Sequence, residues 1–442
     1  MFEIGRELKR FFSHSPPRDG LCRGDASLLE MLDLKLLAKE ARSADIASGR
    51  IGEKDRPARL LEAAAVWREV ARRTGDPASL RKAASCAEQA AKTWRAEGRS
   101  RCLTKALYAQ AEAALLGADL FADDALTAAA SFLVGKASHA TPLGLALKAR
   151  VDAAGALVGG DLDQVKQAAR QFERPLAELE GSTVTVHAGA QLRCDRAEFL
   201  TGAGARLADT DLLDMAVADL DKALAACDVA YQPVTAARAG ELKGLALVRI
   251  GEIDGDVSPI LEGLDALTVA QDLLEPDHSP LDWARLHHSI GLGLMALGEV
   301  GESEAAFDRA WSSFSKALPV LDAAPSLALR TVAAQDRAEC LVRRADAKGD
   351  VLALDEAEAI LRGELGALRA PPDPVAWAVL QLNLGRIYMA QRTLRGGDRG
   401  ETLRAGEALA AALDVFGETG QRSLAALADS ALEKLRETSA AN

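Results

Sequence analysis

Aromatic residues make up only 4% of this 442-residue chain. Valine, isoleucine and tyrosine are thin beside alanine, leucine, arginine and glutamate, which are strong helix formers, so an all-α fold is expected. No run of about 18 apolar residues is present, so no segment has the composition of a membrane span. The N-terminus lacks the continuous apolar core of a signal peptide, which predicts a cytoplasmic protein. The six cysteines (Cys22, Cys86, Cys102, Cys194, Cys227, Cys340) stand at least 16 residues apart, without a Cys-x-x-Cys pair or paired histidines. Neither a zinc site nor a disulfide framework fits that spacing, and small buried thiols in a reducing compartment are expected. Basic residues are outnumbered 53 to 65, a net charge of -12, which opposes nucleic-acid binding, because a phosphate backbone is held by a surplus of cations. Asparagine occurs twice (Asn383, Asn442) and arginine exceeds lysine 38 to 15, the usage of a GC-rich bacterial gene.

What the chain has in quantity is repetition. Prolines at Pro233, Pro280, Pro325 and Pro374 are each expected to open a helix, where the missing N–H costs nothing. Their spacings are 47, 45 and 49. Gly244, Leu247 and Ile250-Gly251-Glu252 recur 47 residues on as Gly291, Leu294 and Leu297-Gly298-Glu299. A second pattern, small-large-small at i, i+4 and i+7, occurs at Ala216-Leu220-Ala223, Ala310-Phe314-Ala317 and Ala405-Leu409-Ala412. That spacing keeps one helix face together, and the alanines let a neighbouring helix approach. Fainter copies at Ala83-Ala87-Ala90 and in segments opening near Pro57, Ser100, Pro142 and Val184 bring the count to about eight helix pairs of 42 to 49 residues.

Asn383-Leu384-Gly385-Arg386-Ile387-Tyr388 resembles the first-helix motif of tetratricopeptide (TPR) repeats, and Ala310 to Pro319 resembles the second. The openings Pro280-Leu281-Asp282-Trp283-Ala284 and Pro374-Val375-Ala376-Trp377-Ala378 are similar to a bacterial long-helix variety. The resemblance covers about residues 185–420 and implies an α-α superhelical solenoid of antiparallel helix pairs, with a period longer than the usual 34. The domain organisation expected is an amphipathic segment and linker (1–20), a capping helix and loop (21–56), TPR-like repeats (57–422) and a C-terminal capping helix and tail (423–442). Ser27-Leu28-Leu29-Glu30 has capping-box spacing and predicts a helix to about Ser43. The terminal helix, Ser423 to Glu437, is expected to turn Leu424, Leu427, Leu432 and Leu435 inward.

Catalytic signatures are missing. No phosphate-binding glycine run follows a strand, and Gly202-Ala203-Gly204 reads as a loop. Asp254-Gly255-Asp256 lacks the remaining ligands of a calcium loop. His287 and His288, being adjacent on a helix, do not converge on one metal, and the five tryptophans fall at apolar helical positions. No catalytic residue, metal or cofactor is expected.

A noncatalytic scaffold or adaptor that binds a partner protein segment on its concave face is the leading expectation. The alternative is a regulatory protein that senses a small peptide or metabolite in the groove. The family resemblance places first-helix side chains on that face: Glu241 and Arg249, His288 and Met295, and Leu382, Arg386 and Met389. In residues 1–12, Ile4, Leu8, Phe11 and Phe12 share one helical arc opposite charged residues. Such a segment folds against its own first repeats, another protein or subunit, or peripherally on a membrane. A detachable docking helix is the favoured expectation.

Overall fold

A computed structural model describes residues 29–49, 55–138, 140–181, 185–324, 326–368, 374–419 and 421–440. Every regular element among them is helical. Helix α1 (Leu34–Ser48) precedes the pairs α2/α3 (Arg56–Thr74, Pro77–Ala96) and α4/α5 (Ser100–Phe121, Asp124–Gly135). In the third pair, α6 (Pro142–Gly159) is followed by a second helix broken into α7 (Leu162–Arg170) and α8 (Glu173–Glu180). Pro175, which cannot donate to a carbonyl one turn back, accounts for that break. Next come α9/α10 (Val186–Leu207, Thr210–Ala226), α11/α12 (Pro233–Asp254, Val257–Gln271) and α13/α14 (Pro280–Val300, Glu304–Asp322). The pairs α15/α16 (Ala328–Lys348, Val351–Ala367) and α17/α18 (Pro374–Arg395, Glu401–Glu418) and the single helix α19 (Arg422–Ala440) complete the chain. The expected all-α arrangement of consecutive helix pairs is what the chain adopts.

One turn design joins most of the paired helices. A left-handed residue (Gly75, Ala122, Ala208, Gly255 or Gly349) is followed by an aspartate (Asp76, Asp123, Asp209, Asp256 or Asp350) that caps the second helix by accepting from its first backbone N–H groups. The caps at Asp76 and Asp123, and at Asp209 and Asp256, are 47 residues apart, and Asp350 is two such periods beyond Asp256. Asp254-Gly255-Asp256 is therefore a helix-to-helix turn.

The small-large-small faces lie at the centre of the packing. Ala216, Leu220 and Ala223 are fully buried, as are Ala310, Phe314 and Ala317, and Ala405, Leu409 and Ala412. Each of the large residues contributes about 1.5–3 kcal/mol by its removal from water. Glycine supplies the closest approach: a Cβ on Gly244 of α11 would stand 2.7 Å from the Gly263 carbonyl of α12. Gly204, expected in a loop, is helical in α9, and a Cβ there would meet Leu213 of α10 at 2.8 Å.

Two helix boundaries and one buried face differ from expectation. The first described helix opens at Leu34 under the Asp33 side chain and runs to Ser48, because the Glu30 carboxylate is engaged elsewhere. Ser27 lies outside the described residues. Helix α15 opens at Ala328, three residues past Pro325, which also lies outside them. In α19 the buried stripe is Ala428, Leu432 and Leu435, and Leu427, off that stripe, is exposed.

The helices form two compact units, one within Met1–Gly293 and Val320–Ala328, the other within Leu294–Pro319 and Leu329–Asn442. In the second, Leu341, Leu354, Leu361, Leu380, Leu409 and Phe416 share one core.

Two glycine substitutions separate backbone strain from steric overlap. Gly255→Ala, where open space surrounds the site and only the positive φ matters, should cost about 1 kcal/mol in denaturant unfolding. Gly244→Ala, which drives a methyl group into backbone, should cost about 1–3 kcal/mol or more.

Candidate functional site

The first helices of the first unit carry charged and polar residues that couple one helix to the next, by ion pairs, a hydrogen bond or electrostatic influence. Arg68 of α2 pairs with Glu112 of α4. Farther along α4, Asp119 feels the charge of Arg150 on α6, and Arg150 Nε lies 3.1 Å from Asp195 of α9. Arg238 of α11 reaches Asp195 at 2.9 Å and Glu198 at 2.6 Å. Ser289 of α13 donates to Glu241 of α11 at 2.8 Å. Arg72 Nη1 donates to both Asp282 oxygens at 2.9 Å, returning from α13 to α2. Six first helices, α2, α4, α6, α9, α11 and α13, are thus linked into a ring.

A buried seam locks the return. Arg73, with no solvent exposure, donates to the carbonyls of Leu29 and Leu32 at 2.7 Å and to Glu69 at 2.6 Å. Glu30 accepts from the Thr235 backbone N–H at 2.9 Å and from its hydroxyl at 2.5 Å. Thr235 stands in the first turn of α11, which has no side-chain cap of its own, so Glu30 caps a helix that begins some 200 residues later. His187 Nε2 lies 3.3 Å from Glu30, and His278 Nε2 is 2.9 Å from the Glu30 carbonyl.

Carboxylates crowd one arc of the ring. Burial, followed by attraction from Arg285 that only partly offsets it, leaves the Glu241 carboxyl at about 7. Asp119, accessible at the residue level but with its carboxyl desolvated by the surrounding side chains, is pushed up to about 6 by that desolvation and by Glu198, with Arg150 opposing. Glu241 and Ser289 have the separation of a base and a hydroxyl nucleophile, yet they are only 5% and 1% exposed, so no substrate reaches them.

A cavity of about 560 Å³ opens between α2, α4, the start of α6 and the α8–α9 junction. Leu61, Ala65, Leu143 and Leu179 form its apolar wall, while Arg68, Arg101, Lys105 and Glu112 bring charge to it. Tyr108 lies against the start of α6, where Gly144 leaves room for the ring: a Cβ there would be 2.3 Å from it. Burial lowers the Arg68 guanidinium to about 10; Glu69 opposes this, and Arg150 and Arg72 add to it.

Of the residues expected on a concave face, Glu241 belongs to the ring. Arg249 pairs with Glu252 on its own helix, and His288 is buried in α13. Met295, Leu382, Arg386 and Met389 belong to the second unit. Leu382 is in its core, Met389 packs against that core, and Arg386 is exposed at 3.3 Å from Glu339. Ile4, Leu8, Phe11 and Phe12 lie outside the described residues. The cavity residues were not anticipated. Arg101, Lys105, Tyr108 and Glu112 nonetheless follow one another at i, i+4, i+7 and i+11, a stripe readable once α4 is known to be a first helix.

The fold defines a TPR-like helical-repeat protein. No family model and no curated protein matches the sequence. Among solved structures, the chain is similar to a Rap protein complexed with competence and sporulation factor, at 11% identity and a TM-score of 0.46, over 86% of this chain and 98% of that one. It is also similar to PH0952 of Pyrococcus horikoshii, a STAND signal-transduction ATPase with a tetratricopeptide repeat sensor, at 14% identity and a TM-score of 0.44, over 86% of this chain and 56% of that one. A third similarity is to a human IFIT1 dimer with PPP-AAAA, at 15% identity and a TM-score of 0.32, over 92% and 95%.

Two outcomes follow from the ring. Arg73→Met should destabilise the protein by about 2–4 kcal/mol in denaturant unfolding, since it leaves the buried carbonyls of Leu29 and Leu32 without a donor, while Arg72 still holds Glu69. A carboxyl raised from 4.5 to about 7 on folding penalises the folded state increasingly as pH rises through that interval. Glu241→Gln should therefore be more stable than the wild type above pH 7, by on the order of 1–3 kcal/mol, with the advantage vanishing toward pH 4.5.

Proposed function

We propose that the protein is a noncatalytic binding module that takes a segment of a partner protein, or a free peptide, against the inner face of the first helices of its first unit. The observation that carries this reading is the cavity of about 560 Å³ with its apolar wall and charged rim. Its volume falls within the roughly 300–1,000 Å³ of small-ligand sites, and a few polar groups beside apolar surface are what orientation and affinity require. Enclosure by a ring of six helices favours a short peptide over a long groove-bound helix, which brings the reading close to ligand sensing. The sealed Glu241–Ser289 pair argues against an esterase-like or protease-like chemistry. The expected partner is a protein or peptide, with no nucleic acid, and with residence in the cytoplasm of a bacterial cell.

A photoreactive amino acid placed at Tyr108 tests this in extract of the native cell. Ultraviolet light should yield a peptide or protein adduct from that position and none from Val269, which is exposed on a second helix of the same unit. Equal labelling at the two positions, or none at Tyr108, would refute the assignment.

A further inference from the structure

Resting on the peptide-binding function proposed above, we infer that the occupant of this cavity is an acidic peptide segment, in which a glutamate or aspartate side chain meets Arg68, Arg101 and Lys105 while an adjacent apolar side chain enters between Leu61, Leu143 and Tyr108. Three cations and one carboxylate, Glu112, line the space. Glu112 is spent on Arg68. Arg101 and Lys105, one turn apart on α4 and both exposed, have no ion-pair partner among the described residues. This excess of positive charge stands in a chain whose net charge is -12, so it is local to the cavity.

The condition of Arg68 points the same way. Its charge is opposed by burial and by the like charges of Arg150 and Arg72, which Glu69 partly offsets, and Glu112 is already engaged with it. An incoming carboxylate supplies the counter-charge that Arg101 and Lys105 lack, and enclosure in the cavity reduces its screening by water. A basic peptide would add a fourth cation to this group, and a wholly apolar one would leave Arg101 and Lys105 without a counter-charge. Arginine also offers a planar fork that matches a carboxylate through two parallel hydrogen bonds. The apolar wall discriminates against a free inorganic anion, which would leave Leu61 and Leu143 uncovered.

The experiment is selection of a random heptapeptide phage library on the full chain and on the Arg101→Glu/Lys105→Glu double variant. Both substituted residues are exposed, so the variant should keep the wild-type melting temperature. The wild type should enrich sequences with an acidic residue next to leucine, isoleucine or phenylalanine. The best of these, synthesised, should bind the double variant about tenfold or more weakly and should weaken between about 50 and 500 mM salt. Enrichment of neutral or basic sequences, or equal binding of the acidic peptide to the double variant, would overturn the acidic assignment while leaving peptide binding intact. Failure to enrich any sequence would overturn both.

Discussion

The geometry of the first unit rests on the contact between its beginning and its middle. Arg73 gathers the carbonyls of Leu29 and Leu32, and Glu30 caps α11 through Thr235. Arg73 is balanced by Glu69, and Glu30 lies beside His187, yet neither has solvent to replace the bonds of the seam. A guanidinium without solvent access and a carboxylate at 4% exposure cannot be released without leaving buried polar groups unpaired. The return of α13 onto α2 is consequently specified chemically as well as by packing, and the enclosed inner face follows from it.

Enclosure has an electrostatic cost. Once six first helices face one another, their charges can no longer relax independently into water, and the carboxylates of α4, α9, α11 and α13 compete for Arg150, Arg238 and Arg285. Desolvation first, and the neighbouring carboxylates second, hold the Asp119 and Glu241 protons into the range from about 6 to 7. On the α2–α4 side the imbalance is reversed, with Arg101 and Lys105 beside Arg68. The inner surface is therefore polarised, with acid on one arc and base near the cavity.

Much of the fold is legible in sequence because it is local. Pro233, Pro280 and Pro374 open helices, and the Ala216, Ala310 and Ala405 patterns mark buried faces, since periodicity alone decides both. The aspartate caps were equally visible at a spacing of 47, and they carry that period upstream to Asp76 and Asp123, where the helical motifs fade. The cavity lies in this faint region, apart from the later repeats on which the family resemblance places Leu382 and Arg386. The seam was not legible. Ser27-x-x-Glu30 has the spacing of a local cap, and nothing within thirty residues of Glu30 indicates that its partner is Thr235. Pairings across some 200 residues leave no periodic trace.

The span of the seam also sets a schedule for synthesis. Glu30 and Arg73 leave the ribosome long before Thr235 and Asp282 are translated, and at about 5–20 residues per second the interval is roughly 10–40 s. During that time the first pairs can stack on one another, each burying its own alanine-rich face, and Arg73 can already hold the Leu29–Leu32 turn, but the end of α11 that Glu30 will cap does not yet exist. The Glu30 carboxylate is thus among the first groups of the unit to be made and among the last to find its partner. A nascent chain of this protein carries an exposed, unclosed edge for tens of seconds, a period in which chaperones, or a second copy offering its own α11, compete for the same contacts.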